Sequence, residues 1–270
     1  MVLLDEIILN EMTDIDDLFK SKLYSKSGFI SKYLSTDTDL SKFVAAFKEA
    51  LNLQICFIID CTGSIAKHKG FKNNIFGLIM DALLDFMNNE SSRRYAFIGY
   101  RERDENNEFH DFSFDKDKIM DKIKNVSLTG GGDDCEDVEY ALEKFCNEIN
   151  FVQGGTRIII HIADEPCHGM EYHDNHLSDK HPEWSKNIPK LLKKISNNFN
   201  CAYWFVKITN DTDKMIKKFD QILDENCPNS DFNKITVLDL RNLNNDEIKN
   251  VITEQLFKTT LASTKISLNK

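Results

Sequence analysis

The chain has 270 residues, 41% of them hydrophobic and 19 of them Phe, enough to bury one large core. Only 4 Pro and 11 Gly exclude a linker-rich or disordered polymer. The net charge of −10, from 34 basic against 44 acidic residues, argues against nucleic acid and anionic membranes as partners and favours a basic partner or a divalent cation.

Residues 1–50 read as a helical extension. Leu18, Phe19 and Leu23, then Phe43, Ala46 and Phe47, recur at helical spacing, and Ser35-Thr-Asp37 breaks the two stretches. Acidic residues interrupt the apolar start MVLLDEIILNEMTDIDD, which lacks the basic region of a secretory signal, and no window reaches about 18 apolar residues. A cytoplasmic protein follows as the expectation. The seven cysteines are odd in number and none has CxxC spacing, so buried free thiols are expected, with a zinc site from Cys167 and the nearby histidines as the alternative.

Leu53–Ile59 is a continuous apolar run ending in Asp60, the pattern of a strand buried on both faces of a parallel sheet. A helix is expected over 64–89, a strand over Tyr95–Tyr100, and a half-exposed antiparallel edge strand over His110–Phe114. Helices follow at Asp117–Lys124 and Asp134–Ile149. Arg157–Ala163 is a second buried strand ending in an acid, Asp164. A helix over 185–198, a strand over Cys201–Ile208, a helix over 211–225, a strand over Ile235–Leu240 and a helix over 244–262 complete the pattern. Strands alternating with helices predict an α/β fold: a doubly wound, mostly parallel six-stranded sheet with one antiparallel edge strand and helices on both faces. The domain division is 1–50 for the extension and 51–265 for the α/β domain.

Ligands of such sheets bind at the carboxyl ends of the strands, where strand order reverses. Three segments bring oxygen ligands there: Asp60-Cys-Thr62-Gly-Ser64, Thr129-Gly-Gly-Gly-Asp133-Asp134-Cys-Glu136-Asp137, and Asp164. Mg²⁺ takes about six oxygens and usually keeps several waters. Thr62 and Ser64 suit direct coordination, and Asp60 and Asp164 suit contact through bound water, the glycine loop supplying the rest. Few direct carboxylates leave the ion net positive, so it attracts an anionic group. Any of the acids or hydroxyls could instead be a helix cap.

These residues resemble the von Willebrand factor A domain and its metal-ion-dependent adhesion site. Asp60, Thr62 and Ser64 match the family's Asp-x-Ser/Thr-x-Ser motif, and Asp164 its later Asp. The second loop departs from the pattern: Thr129 precedes the glycines, and Asp133 stands where the family has a ligand Thr, so Asp133, Thr129 or neither supplies that contact. The strings Asp60–Ser64, Ile98–Asp104, Gly130–Asp134 with Glu136-Asp137, and Ala163–Gly169 with Tyr172-His173 resemble the A domains found beside atypical alpha-kinases in protists and amoebae, over roughly residues 51–240. The resemblance implies a non-enzymatic module that binds Mg²⁺, Mn²⁺ or Ca²⁺ and engages a protein partner through a carboxylate that completes the metal shell.

Two other readings compete. In a haloacid-dehalogenase-like phosphohydrolase Asp60 would be the nucleophile, but the acid expected two residues later is Thr62, which cannot protonate a leaving group as an acid does. The third reading is a scaffold whose metal site is degenerate. His168, His173, His176 and His181 crowd the loop after Asp164, read as a solvated loop over the site or as a second metal site. Arg101 and Arg103 are expected to pair with nearby acids.

Overall fold

The computed structural model describes residues 37–68, 76–83, 93–230 and 232–268. The expected helix around Leu18–Leu23, the break at Ser35-Thr36 and much of the expected 64–89 helix lie outside these residues.

Six strands form one sheet in the order β3-β2-β1-β4-β5-β6. They are β1 (Leu53–Asp60), β2 (Arg93–Tyr100), β3 (Glu108–Ser113), β4 (Thr156–Ala163), β5 (Cys201–Lys207) and β6 (Ile235–Asp239). All pairings are parallel except β2 with β3. Every residue of β1 is buried, because parallel neighbours lie on both edges and helices cover both faces. The antiparallel edge strand β3 is half-buried along its whole length, where its alternating sequence would have buried every second residue.

Alternation of side chains divides the apolar residues between two cores. Ile55, Phe57 and Ile59 of β1 face one side. There they meet α1 (Asp37–Ala50), the helical residues 76–83 (α3), α4 (Lys116–Asn125) and α8 (Asn245–Leu268). Cys56 and Ile58 face the other, against α5 (Val138–Glu148), α6 (Ile188–Lys193) and α7 (Asp213–Asn226). Within the expected extension, α1 packs along α8 through Phe43, Val44 and Phe47, all buried.

Several helices begin or end elsewhere than their periodicity suggests. The expected 134–149 helix starts at Val138: Asp137 caps it by accepting from the Tyr140 N–H, and Glu136 is held in a single β-bridge to Cys167. The expected 185–198 helix is α6 followed by a wider π turn over Lys194–Asn198. The short α2 (Gly63–Lys67) leaves β1. No helix of the described residues is long and apolar enough to cross a membrane.

The chain runs outward from β1 to β3 on one side and from β4 to β6 on the other, so strand order reverses between β1 and β4. Ile59 pairs with Ile162 there, which brings Asp60 and Asp164 to the same edge of the sheet.

Candidate metal centre at the switch point

Asp60 is the last residue of β1, fully buried. Its Oδ1 accepts the Thr62 N–H at 2.9 Å and the Thr62 hydroxyl at 2.7 Å. The Ser64 hydroxyl donates to Asp164 Oδ1 at 3.2 Å. Thr62 Oγ1 and Ser64 Oγ are 2.9 Å apart. Each hydroxyl has one proton. With both given to carboxylates, the two oxygens turn lone pairs towards each other and need a positive partner.

The second loop is fixed against the first by backbone bonds. Thr129 N–H donates to the Cys61 carbonyl at 3.2 Å, and Gly63 N–H to the Gly130 carbonyl at 3.1 Å. Gly131 has φ +84°, and a Cβ there would stand 2.9 Å from Glu136 Oε1 and 3.4 Å from the Thr62 Cβ. Glycine thus lets the loop pass between Thr62 and the Glu136 carboxylate. Buried Arg101 anchors the same loop, donating from Nε to the Thr129 carbonyl at 2.9 Å and from its other nitrogens to the Ser127 and Asn106 carbonyls. The expectation that Arg101 pairs with acids is thereby replaced by carbonyl contacts, which satisfy a buried guanidinium equally well. Arg103 does pair with an acid, donating to both oxygens of Asp137 at 2.7 and 3.1 Å, and its guanidinium lies over Trp184.

The electrostatics are those of acids crowded together. Burial, then the charge of Asp164, pushes Asp60 well above the usual carboxylate range, and burial raises Asp164 as well. Burial and the neighbouring Asp60 and Glu102 push Glu136 up to about 11. Burial and Asp164 push Glu165 up to about 8. Asp60 Oδ2, Glu136 Oε2 and Glu165 Oε2 are buried without a hydrogen-bond partner. His68, partly exposed, approaches Asp164 to 3.8 Å. Orphaned acidic oxygens beside two lone-pair-bearing hydroxyls fit a hard divalent cation.

Of the five residues singled out in the sequence, Asp60, Thr62, Ser64 and Asp164 form one hydrogen-bonded chain. Asp133 stands apart from that chain: its Oδ2 accepts the Lys180 N–H, and its carboxylate lies with Glu102 and His168 in a separate cluster. Thr129 reaches the site only through its backbone, its hydroxyl lying 3.3 Å from Ser127 Oγ. The acid of the second loop that lies against Thr62 is Glu136, which sequence reasoning did not single out as a ligand. Four acids fall within five residues there, and nothing in their spacing marks the one that turns inward.

No family model matches the chain. It is 30% identical over 176 residues to the alpha-protein kinase vwkA of Dictyostelium discoideum, a match that covers 63% of this chain and 27% of that protein. The chain thus spans about a quarter of the length of that curated relative. Among solved structures, the SpRpn10 VWA domain overlaps 75% of this chain and 94% of its own, with a TM-score of 0.41 and 13% identity. Proximal thread matrix protein 1 from the mussel byssus, with a zinc-occupied MIDAS motif, overlaps 76% of this chain and 46% of its own, with a TM-score of 0.45 and 12% identity. The strand order gives the chain a doubly wound, Rossmann-like fold, and the motif-bearing turns at its switch point, with the kinase relative, give it a resemblance to the von Willebrand factor A domains associated with alpha-kinases.

Proposed function

We propose that the chain is a non-enzymatic, divalent-metal-dependent protein-binding module whose adhesion site lies at the carboxyl ends of β1 and β4, within an α/β domain spanning 51–265. The observation that carries this reading is the Thr62–Ser64 oxygen pair at 2.9 Å, flanked by Asp60 Oδ1 at 2.7 Å from the Thr62 hydroxyl and Asp164 Oδ1 at 3.2 Å from the Ser64 hydroxyl. Adjacent ligands of an octahedral Mg²⁺, each about 2.0–2.1 Å from the ion, stand about 2.9 Å apart. Thr62 and Ser64 would be direct ligands. Asp60 and Asp164 would orient them and hold metal-bound water. The second loop would contribute Glu136 or Asp133.

When bound, the ion supplies positive charge with an open position for a partner's carboxylate. This chain's own residues do the rest. The two acids keep the hydroxyl lone pairs aimed at one point, and Arg101 holds the second loop in place. Seven free, buried cysteines suit a reducing, cytoplasmic setting.

The test is a thermal melt with Mg²⁺ or Mn²⁺ against EDTA, on wild type and Ser64→Ala. A ligand bound only to the folded state adds about 2.7 kcal/mol at a hundred times its dissociation constant. The expected result is a metal-dependent rise in midpoint that Ser64→Ala loses. Asp60→Ala, followed by titration calorimetry and circular dichroism, should abolish Mg²⁺ and Mn²⁺ binding with the fold retained. Unchanged metal affinity in both variants would remove the site.

A further inference from the structure

Asp164 to Asn187 runs without a helix or a strand longer than a single bridge. So long an irregular stretch inside a packed domain needs its own internal anchor. Asp179 is that anchor. Its Oδ1 accepts from His168 Nδ1 at 2.8 Å and the His181 N–H at 2.9 Å, and its Oδ2 accepts the Gly169 N–H at 2.8 Å. His173 Nε2 also lies 3.0 Å from Oδ2.

His173 Nδ1 faces the Asp174 carbonyl at 3.0 Å, and a carbonyl only accepts, so Nδ1 carries the ring proton. A neutral ring then presents the Nε2 lone pair to a carboxylate oxygen. Both atoms require a cation between or beside them, either a second ring proton or a metal ion. Cys135 selects between these. Its Sγ, a His173 ring nitrogen and an Asp179 oxygen all lie within 4.8 Å of one another, and Cys135 and His173 are buried. Two ligands each about 2.0–2.1 Å from a tetrahedral ion stand about 3.3 Å apart, close to the observed nitrogen–oxygen separation.

We propose that Cys135, His173 and Asp179 form a second metal site, distinct from the Asp60–Ser64–Asp164 centre, that takes zinc. A thiolate and an imidazole with one carboxylate are a borderline-soft set, which suits Zn²⁺ and not Mg²⁺ or Ca²⁺. Binding displaces the Cys135 thiol proton to solvent, leaving a thiolate, a neutral His173 and a carboxylate on the ion. The surroundings match what ligating groups need: His173 has its other nitrogen on a carbonyl, and the outer oxygen of Asp179 is held by His168, whose Nε2 in turn meets Glu102 Oε2 at 3.0 Å. The ion joins the loop before α5 to the loop after β4, the two segments that also frame the adhesion site.

The experiment is elemental analysis of the 270-residue chain after equilibration with buffered zinc and desalting. It is done on wild type, Cys135→Ala, His173→Gln and, as a control for the other centre, Asp60→Ala. Zinc near one equivalent is expected in wild type and Asp60→Ala and is expected to be lost in the other two. Wild type that takes up no zinc, or zinc lost in Asp60→Ala and kept in Cys135→Ala, overturns the proposal. If Cys135→Ala and His173→Gln do not fold, cobalt loading of wild type decides: a thiolate-to-cobalt charge-transfer band supports the site, and bound cobalt without that band overturns it.

Discussion

His161 lies fully buried in the middle of β4, with Tyr100 Oη 2.8 Å from Nε2 and Tyr203 Oη 2.7 Å from Nδ1. No acid is bonded to it, and burial pushes it down to about 3. In the unfolded chain a histidine takes its proton near pH 6.5. Between these values the unfolded state holds a proton that the folded state refuses, so stability is present above about pH 6.5 and is lost as pH falls towards 3. The slope is about 1.4 kcal/mol per pH unit for the one proton. His161→Gln keeps hydrogen-bonding capacity without titrating. Urea melts of both proteins from pH 7 to pH 5 should show a shallower acid loss in the variant, and identical slopes would assign the loss elsewhere. At this same scale the turns of the candidate site were partly legible in the sequence. Asp60 and Asp164 each end a run that is apolar but for Gln54 in the first and His161 in the second, and such runs become adjacent strands of a parallel sheet. The second loop was not legible at single-residue resolution. Which of Asp133, Asp134, Glu136 and Asp137 faces Thr62 depends on two glycines at positive φ and on the Glu136–Cys167 bridge, all products of tertiary path.

Strands were easier to read than helix ends. β1 and β4 announce themselves because burial on both faces leaves no room for polar residues beyond a few with partners. Helix termini answer to local competition instead, as where Asp137 caps α5 three residues later than periodicity alone suggests. The turn into β4 carries a constraint that the sequence states only as Gly154-Gly155. Gly155 has φ +76°, and a Cβ on it would stand 2.2 Å from the Asn52 carbonyl oxygen, which already accepts the Thr156 N–H at 3.0 Å. Gly155→Ala must either adopt that strained backbone or push β4 away from the start of β1. A cost of about 1–3 kcal/mol is expected. It should appear as a lower urea midpoint with an unchanged denaturant slope, since the exposed surface is the same. A midpoint equal to wild type would show that the turn relaxes freely.

For the molecule as a whole, α1 decides whether residues 37–50 belong to the α/β unit or merely precede it. Composition and periodicity identified a helix but could not say what it covers, because an amphipathic stripe does not name its partner. Phe43, Val44 and Phe47 of α1 join the core on the α8 side of the sheet, in one cluster with Phe57, Trp204 and Leu256. Phe47 is fully buried and stacks on Phe43 with ring centroids 5.9 Å apart. On this geometry α1 is a packing arm that completes a face the α/β strands leave uncovered. Phe47→Ala should then cost about 3–5 kcal/mol, the range for removing a buried phenyl ring, because the rigid sheet beneath cannot collapse into the space. A loosely tethered arm would lose no more than about 0.5 kcal/mol, as exposed substitutions do. The metal-dependent rise in melting midpoint should survive in Phe47→Ala, since α1 contributes no residue to the Asp60–Ser64–Asp164 centre. Loss of that rise together with stability would mean that the arm and the adhesion site unfold as one unit. A small cost with the rise intact would free residues 37–50 from the fold altogether.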